Sequence, residues 1–456
     1  MDIGNRLELF VDHFLIERLH GTRLVLHHPR PTEDVYPLDR PWEGRYCGYF
    51  TIIDDAGTFR MYYRGHPVDA RDGSATESTC YAESADGIHW IKPNLGLFEV
   101  YGTRDNNAIL NGFEPLSHNF APFLDTRPGV PAGERFKAVG GVAETGLIPF
   151  VSADGIHWRK LLDEPILTGG AFDSHNLAFW AEHEGCYACY FRTWSEGQFK
   201  GIRTISRATS PDFLNWTDPE PMSFGDTPME ELYTNQTTPY FRAPHIYIAI
   251  AARFMPGRKV VSDADFAELG GEGHYGQDCS DAVLLTSRGG TRYDRTFMEA
   301  FVRPGIGLRN WTSRTNYPAH GIIPTGDSEM SFYITREYGQ PTVHLQRLAL
   351  RLDGFASVNA PYTGGEMRTK PFTFAGAQLA INYSTSAAGD VRVEVQDESG
   401  APVPGFALAD ADEIVGDEVE RVATWQGNAD VRALAGTPIR LRFVMKDADL
   451  YSIRFR

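Results

Sequence analysis

A chain of 456 residues with 43 Lys and Arg against 60 Asp and Glu has a formal charge of −17. That balance argues against DNA, RNA or an anionic membrane as the main partner. With 42% hydrophobic and 23% charged residues, and no run of about 18 apolar residues to span a bilayer, the composition is that of a folded globular protein of two or three domains. The 45 glycines, 28 prolines and 12% aromatic residues indicate many short strands joined by turns.

The opening residues, MDIGNRLELFVDHFLIE, lack the basic, apolar and small-residue order of a secretory signal, so a cytoplasmic location is expected. Five scattered cysteines (Cys47, Cys80, Cys186, Cys189 and Cys279) suit a reducing compartment better than a disulfide framework. Cys186 and Cys189 sit in CYACYF, which reads as a strand. Residues three apart then face opposite sides, so no metal site is expected there.

Repeats organise the chain up to about residue 358. SADGIHW occurs at 84–90 and again, letter for letter, at 152–158. SPDFLNW at 210–216 is a degenerate copy, and SRGGTRYDR from Ser287 is a weaker one. The spacings of 68, 58 and 77 residues fit a four-stranded propeller blade with insertions better than a helical solenoid unit. In such a turn the aspartate bonds back to the backbone, the glycine takes a positive φ and the tryptophan packs the outer strand onto its blade. His89 and His157 therefore read as scaffold.

Strand patterns recur around each copy. They run YCGYFTIIDD and TFRMYYRG in the first unit, HNFAPFLDT and RFKAVGGV in the second, and HNLAFWAEHEG and CYACYFRTW in the third. NQTTPYFRAP and HIYIAIAARF form a fourth, and YPAHGIIPTG and EMSFYITREYG a fifth without the terminal motif. The expected fold is all-β, a five-bladed β-propeller over 30–358. Residues 1–29 are expected to supply a closing strand or flap beside the first and last blades. From 359 to 456 the repeats stop and alternating strands continue, the size of one β-sandwich. An accessory or interface role is expected there, because the aromatic residues for a sugar-binding face are few, chiefly Tyr362, Tyr383 and Trp425.

This order of blades and sandwich, with S-x-D-G-x-x-W turns closing the blades, resembles the five-bladed β-propeller glycosidases: the arabinanase/xylosidase, invertase/levanase and mannoside-phosphorylase families. The invertase group's W-M-N-D-P-N-G is absent, and RPWEGRYCGY stands nearest to it. The chain therefore reads as a divergent branch. The resemblance implies a carbohydrate substrate on one propeller face, bound by the starts of the innermost strands and the loops after the second strands.

At the strand starts stand Glu43 and Arg45, His118 and Asn119, Asp173, His175 and Asn176, Glu230, Glu231 and Asn235, and Asn316 and His320. The second strands end in Arg64, Arg192 and Arg253, with His66 and Trp194 close behind. Glycosidic cleavage needs one carboxylic acid to protonate the leaving oxygen and a carboxylate to activate water or attack directly. The resemblance assigns Glu43 as base or nucleophile, Asp173 as the tuning or hydroxyl-binding carboxylate and Glu231 as general acid, with Asp12 and Glu329 as replacements. Arg64, His66, His118, Asn119, His175, Asn176, Arg192, Trp194, Asn235, Arg253 and His320 are the expected substrate-binding residues.

Arginine in three equivalent positions suits an anionic substrate group or phosphate. It equally suits ion pairs repeated because the blades repeat. The insertion between Met255 and Ser280 is long enough to be a lid that narrows the pocket, as an exo-acting enzyme would need. No cofactor is expected. His320 resembles a calcium-holding histidine of some relatives, but a side chain that fills the channel is the alternative. Three functions follow: a glycoside hydrolase, a phosphorylase of the same fold, or a non-catalytic carbohydrate-binding propeller.

Overall fold

The computed structural model describes every residue except Asp72. Its contacts divide the chain into two units, Pro29–Ala349 and a second built from Met1–His28 with Leu350–Arg456.

The first unit is a five-bladed β-propeller of antiparallel sheets. Blade 1 runs Gly48–Asp55, Thr58–Gly65, Ser78–Ser84 and Ala108–Leu110 from axis to rim. Blade 2 follows with Ala121–Leu124, Phe136–Gly140, Ile148–Ser152 and Arg159–Lys160, and blade 3 with Leu177–Ala181, Cys186–Trp194, Arg203–Ser210 and Glu220–Pro221. In blade 4 the innermost strand is split into Leu232–Thr234 and Thr237–Tyr240, both paired to the long Ala243–Met255, which pairs on to Cys279–Ser287. Blade 5 holds Ile323–Pro324, Glu329–Arg336 and His344–Arg351, and its outer strand is Arg30–Pro37. The ring is closed by this last pairing, with Tyr36 opposite Leu345 and Pro37 opposite His344.

The closing strand thus lies just after the segment expected to supply it. Ile16–His20 and Arg23–Leu26 belong instead to the second unit, paired to Gly365–Thr369 and Ala356–Ala360. Their partners lie in the C-terminal part, so the N-terminal residues complete its sheet rather than a blade. That sheet has eight strands and curls around one core as a sandwich. Its spine is the pairing of Leu379–Asp397 with Ile439–Phe455, where Val391, Val393 and Val395 face Met445, Phe443 and Leu441. This is the period-two burial of a strand with one face in a core. Trp425 and Tyr383 are buried there as well, and of the three aromatic residues weighed for sugar binding only Tyr362 is exposed.

The repeated heptapeptides are joints between blades as well as turns. In the first copy Asp86 Oδ1 accepts from the backbone N–H of Ile88 and of His89, both at 2.8 Å, while its other oxygen meets His89 Nδ1 at 2.7 Å. Asp154 and His157 repeat this geometry, and Asn215 replaces the histidine beside Asp212. Trp90 stands edge-on to Tyr333 of blade 5, and Trp158 edge-on to Tyr62 of blade 1. The tryptophan therefore packs against the neighbouring blade as well as its own, because the turn sits over the crevice between two sheets.

Gly87 and Gly155 sit at φ +72° and +75°, and a Cβ there would lie 2.9 Å from the Tyr333 hydroxyl and 2.5 Å from the Tyr62 hydroxyl respectively. Gly155→Ala is expected to destabilise the propeller by about 3 kcal/mol through strained φ and overpacking together. Gly102, at φ +78° with open space around it, carries only the φ cost of about 1 kcal/mol when changed to alanine. Thermal unfolding of the two variants checks the difference.

Candidate active site

At the starts of the innermost strands and in the connections that lead into them, several residues take backbone conformations that favour glycine. Tyr49, Phe172, Gln236, Arg314 and Asn316 all have φ between 51° and 69°. Non-glycine residues held there cost energy and cluster at functional sites. Of these, Tyr49, Gln236 and Arg314 line one small space beside Tyr233.

Two tyrosines organise the group. Tyr49 lies between the rings of His118 and His175, each 5.5 Å away, with the Arg64 guanidinium 4.8 Å from its centroid. Its hydroxyl donates to the backbone carbonyl of Asp173 at 3.1 Å. Tyr233 carries three arginines around its ring, Arg192 at 4.0 Å, Arg203 at 5.5 Å and Arg314 at 5.7 Å. Cations over an aromatic face are attracted by its quadrupole, more strongly as water is excluded.

Two expected carboxylates meet these arginines. Asp173 Oδ1 is 3.1 Å from Arg192 Nη1, and Arg192 Nη2 also donates to the Tyr233 carbonyl at 2.7 Å. Glu231 Oε2 accepts from the Arg203 guanidinium at 3.0 Å and from its backbone N–H at 3.1 Å. The two carboxylates keep 29% and 19% of their side-chain surface exposed, so a ligand can reach both. Arg203 also lies 4.5 Å from the Trp194 ring. Trp194 borders a groove of about 650 Å³ lined by Gly170, Thr193, Met222, Phe224 and Met229 among others, and its buried indole N–H has no hydrogen-bond partner.

Glu43 is placed otherwise. Expected as base or nucleophile, it is fully buried within blade 1, where Tyr63 donates to it at 2.5 Å, the Arg40 backbone at 3.0 Å and Lys92 at 2.7 Å. Lys92 follows the first SADGIHW turn, and the distance in sequence hid the pair. Such an ion pair has no free face for a sugar.

Arg253 also has a structural set of partners. It forms a two-pronged pair with Asp281 at 2.8 and 2.6 Å and a bond to Glu230 at 2.7 Å, and Glu230 reaches Arg295 as well. Arg64, His66 and His118 gather round a carboxylate that the sequence reading missed. Glu77 is fully buried at the head of the third strand of blade 1, 3.0 Å from His118 Nδ1 and 3.8 Å from His66 Nδ1, while Arg64 Nη1 lies 3.1 Å from His118. Although burial opposes it, hydrogen bonding from His118 and the charges of His118, Arg64 and His66 leave the Glu77 carboxyl below the usual range.

The asparagines are scaffold in this arrangement. Asn119 and Asn176 both donate to the Phe172 carbonyl and fix its unusual backbone, and Asn235 accepts from the Thr237 N–H at 3.0 Å.

His175 and His320 fill the channel. His175 bridges Thr51 and Gln236 at 3.0 and 3.1 Å, and its ring lies 6.2 Å from that of His320. Calcium takes six to eight oxygen ligands, and this pair of imidazoles does not offer them. Among the described residues no group of three or more His, Cys, Asp or Glu could hold a metal ion.

The insertion after Met255 carries the helix Asp263–Glu268, and Val261, Phe266 and Tyr275 pack with Tyr46 of blade 1 and Tyr338 of blade 5. Tyr275 accepts from Arg314 at 3.4 Å and donates to Asp69 at 3.1 Å. The insertion therefore covers one side of the group around Tyr233.

No family model matches this sequence, and no curated protein matches it. Solved structures similar in fold include an N-acetylgalactosamine deacetylase from F. plautii in complex with blood group B trisaccharide, at TM-score 0.45 and 13% identity over 74% of this chain and 97% of that one. A β-1,2-mannobiose phosphorylase from Listeria innocua has TM-score 0.44 and 11% identity over 72% and 98% of the two chains. A glycoside hydrolase family 43 arabinoxylan arabinofuranohydrolase from Bacillus subtilis has TM-score 0.41 and 11% identity over 91% and 97%. The five blades are read from this chain's own sheet pairings, and at such identities no residue role passes from these proteins to it.

Two outcomes test the placements. Removing one partner of a buried ion pair leaves the other charge uncompensated, at about 3–5 kcal/mol. Glu43→Ala should lower thermal stability by that order, and by less when Lys92→Met is already present; a calorimetric double-mutant cycle measures both. Burial pushes the His320 imidazole down to about 4, with the Thr237 carbonyl opposing, and burial beside His320 holds His175 well below the ordinary value. Both are neutral when folded and bind protons more readily when unfolded. Their contribution to stability is therefore complete above about pH 6.5. It erodes as pH falls toward about 4, where the His320 proton is bound in the folded state as well. Denaturant unfolding across that window should show the loss, and His320→Gln should flatten it.

Proposed function

We propose that this protein is a carbohydrate-active enzyme that cleaves glycosidic bonds, with Asp173 and Glu231 as its working carboxylates. The observation that carries the reading is their placement: each is partly exposed and held by an arginine stacked on the same ring, Tyr233. The Trp194 groove, with its unpartnered indole N–H, suits a sugar ring and one of its hydroxyls. In hydrolysis Glu231 gives its proton to the glycosidic oxygen as the bond to the anomeric carbon breaks. Asp173 either takes a proton from the attacking water or attacks the anomeric carbon itself. Arg203, which holds Glu231, is itself set among Trp194, Tyr233 and Phe254, whose rings lie 4.5–5.5 Å from its guanidinium.

Phosphorolysis is the second reading, favoured by one observation. Three arginines against two carboxylates surround Tyr233, and a phosphate that attacks the anomeric carbon needs cations more than a second carboxylate.

A panel of 4-nitrophenyl glycosides, with and without inorganic phosphate, tests both. Release of 4-nitrophenol is expected from the wild type. Asp173→Asn and Glu231→Gln should each lower kcat by about 100-fold or more with an unchanged circular dichroism spectrum. A sugar phosphate as product selects phosphorolysis. Full turnover by both variants overturns the assignment of these carboxylates.

A further inference from the structure

Between Tyr49 and Tyr233 lies a second, much smaller cavity of about 30 Å³. Arg64, Arg314, Tyr49, Tyr233, Thr234 and Tyr317 are among the residues that line it. Two guanidinium groups face this space, and no aspartate or glutamate among the described residues lines it.

Arg314 differs from the other arginines of the centre. Arg192, Arg203 and Arg253 each have a carboxylate within 3.1 Å. Arg314 forms no ion pair among the described residues. Its polar contacts are tyrosine hydroxyls, that of Tyr275 at 3.4 Å and that of Tyr338, and its guanidinium lies over the rings of Tyr233 and Tyr275. Its backbone is also held at φ +58°. A half-buried cation on a strained backbone with only aromatic neighbours is missing the partner that buried charges ordinarily have.

A second observation comes from different atoms. The Tyr317 hydroxyl and the Thr234 Oγ1 both border the cavity, both are buried, and neither has a hydrogen-bond partner. Buried polar groups are nearly always bonded, and those left over mark a binding site or a functional role. Two unpartnered hydroxyl donors and an unpaired guanidinium around one space describe the complement of an oxyanion.

We infer that this cavity binds the oxyanion of the substrate, with Arg314 as its charge partner and Tyr317 and Thr234 as neutral donors. The inference rests on the reading above that this propeller binds and cleaves a glycoside. Its size favours one class. At roughly 10–15 Å³ per water, the space takes a planar carboxylate more readily than a tetrahedral phosphate or sulfate. The substrate class is then a glycoside of a uronic acid, with its carboxylate in this cavity. Arg64, 4.8 Å from the Tyr49 ring, adds a second positive charge to the lining.

The test measures the melting temperature of the full chain with D-glucuronate, D-galacturonate, glucose, galactose and inorganic phosphate. A uronate should raise it and the neutral sugars should not. Arg314→Ala should abolish the rise. Tyr317→Phe removes only an unpartnered hydroxyl, so the ligand-free melting temperature should hold or rise, while uronate affinity weakens by about tenfold. That second variant keeps the test decisive if Arg314→Ala unfolds. Stabilisation by phosphate through the same residues, without a uronate effect, keeps the oxyanion site and assigns its occupant to a phosphorolytic co-substrate. No anion effect, or one that both variants retain, overturns the inference. The two readings fail separately: turnover of neutral glycosides independent of Arg314 removes the oxyanion site alone, and uronate binding without any cleavage removes the glycosidic reading alone.

Discussion

Everything about the propeller depends on closing its ring with a strand from the wrong end of the sequence. Arg30–Pro37 must pair with His344–Arg351 across more than three hundred residues. The entropic cost of closing so long a loop grows only slowly with its length, and the pairing covers the outer edge of the last blade, which would otherwise be open to another chain. Blade 5 then lies against blade 1 at the axis, where the His320 carbonyl accepts from the Ile52 N–H at 2.8 Å and the His320 N–H donates to the Phe50 carbonyl at 2.7 Å. With the ring closed, the first residues of the inner strands have nowhere to go but toward one another.

That convergence explains the strained backbones at the centre. A residue in the left-handed region turns its side chain off the regular pleat, and Tyr49, Gln236 and Arg314, all held there, line the small cavity. The strain is sustained because neighbours over-determine it: Phe172 is pinned at its carbonyl by two asparagines from adjacent blades, Asn119 and Asn176. A single asparagine would leave that carbonyl freer to relax. The same logic holds at the rim, where the Tyr333 hydroxyl bonds the Gly87 carbonyl at 2.5 Å and locks one blade's turn to the next blade's sheet.

How much of this the sequence disclosed depends on whether a feature is local. The SADGIHW turns, the strand rhythm and the blade count are written within a few dozen residues each, and they were legible. So was the general position of Asp173, Arg192 and Glu231, because register within a blade carries from one repeat to the next. What pairs across long connections, or stands outside the aligned strand positions, was not legible. Glu43 reads as an exposed acid at a strand start until Lys92 arrives from beyond the first turn motif. Glu77 sits at the head of a third strand, a position with no counterpart among the starts and ends that the repeats align. Arg314 lies in a connection outside any repeated motif, so no periodicity could have singled it out. The N-terminal strands misled for the opposite reason: closing a propeller is a common task for such a segment, and nothing local distinguishes Ile16–His20 from Arg30–Pro37.

The net charge of −17 might be thought to exclude an anion from the centre, but distance decides. Exposed charges farther apart than about 8 Å are largely screened at physiological ionic strength. The acidic surface therefore contributes little to the field within the cavity, where Arg64 and Arg314 are the near charges. Inside, low local polarizability strengthens each contact in turn, and it does so for both signs. Asp173 and Glu231 are neutralised by Arg192 and Arg203 before any ligand arrives, which removes the nearest repulsion an anion would meet. Arg314, left over from that pairing, is the charge that remains to be answered. An acidic protein can thus hold a cationic centre at no contradiction, provided its carboxylates near the mouth are each spent on an arginine and one arginine is not.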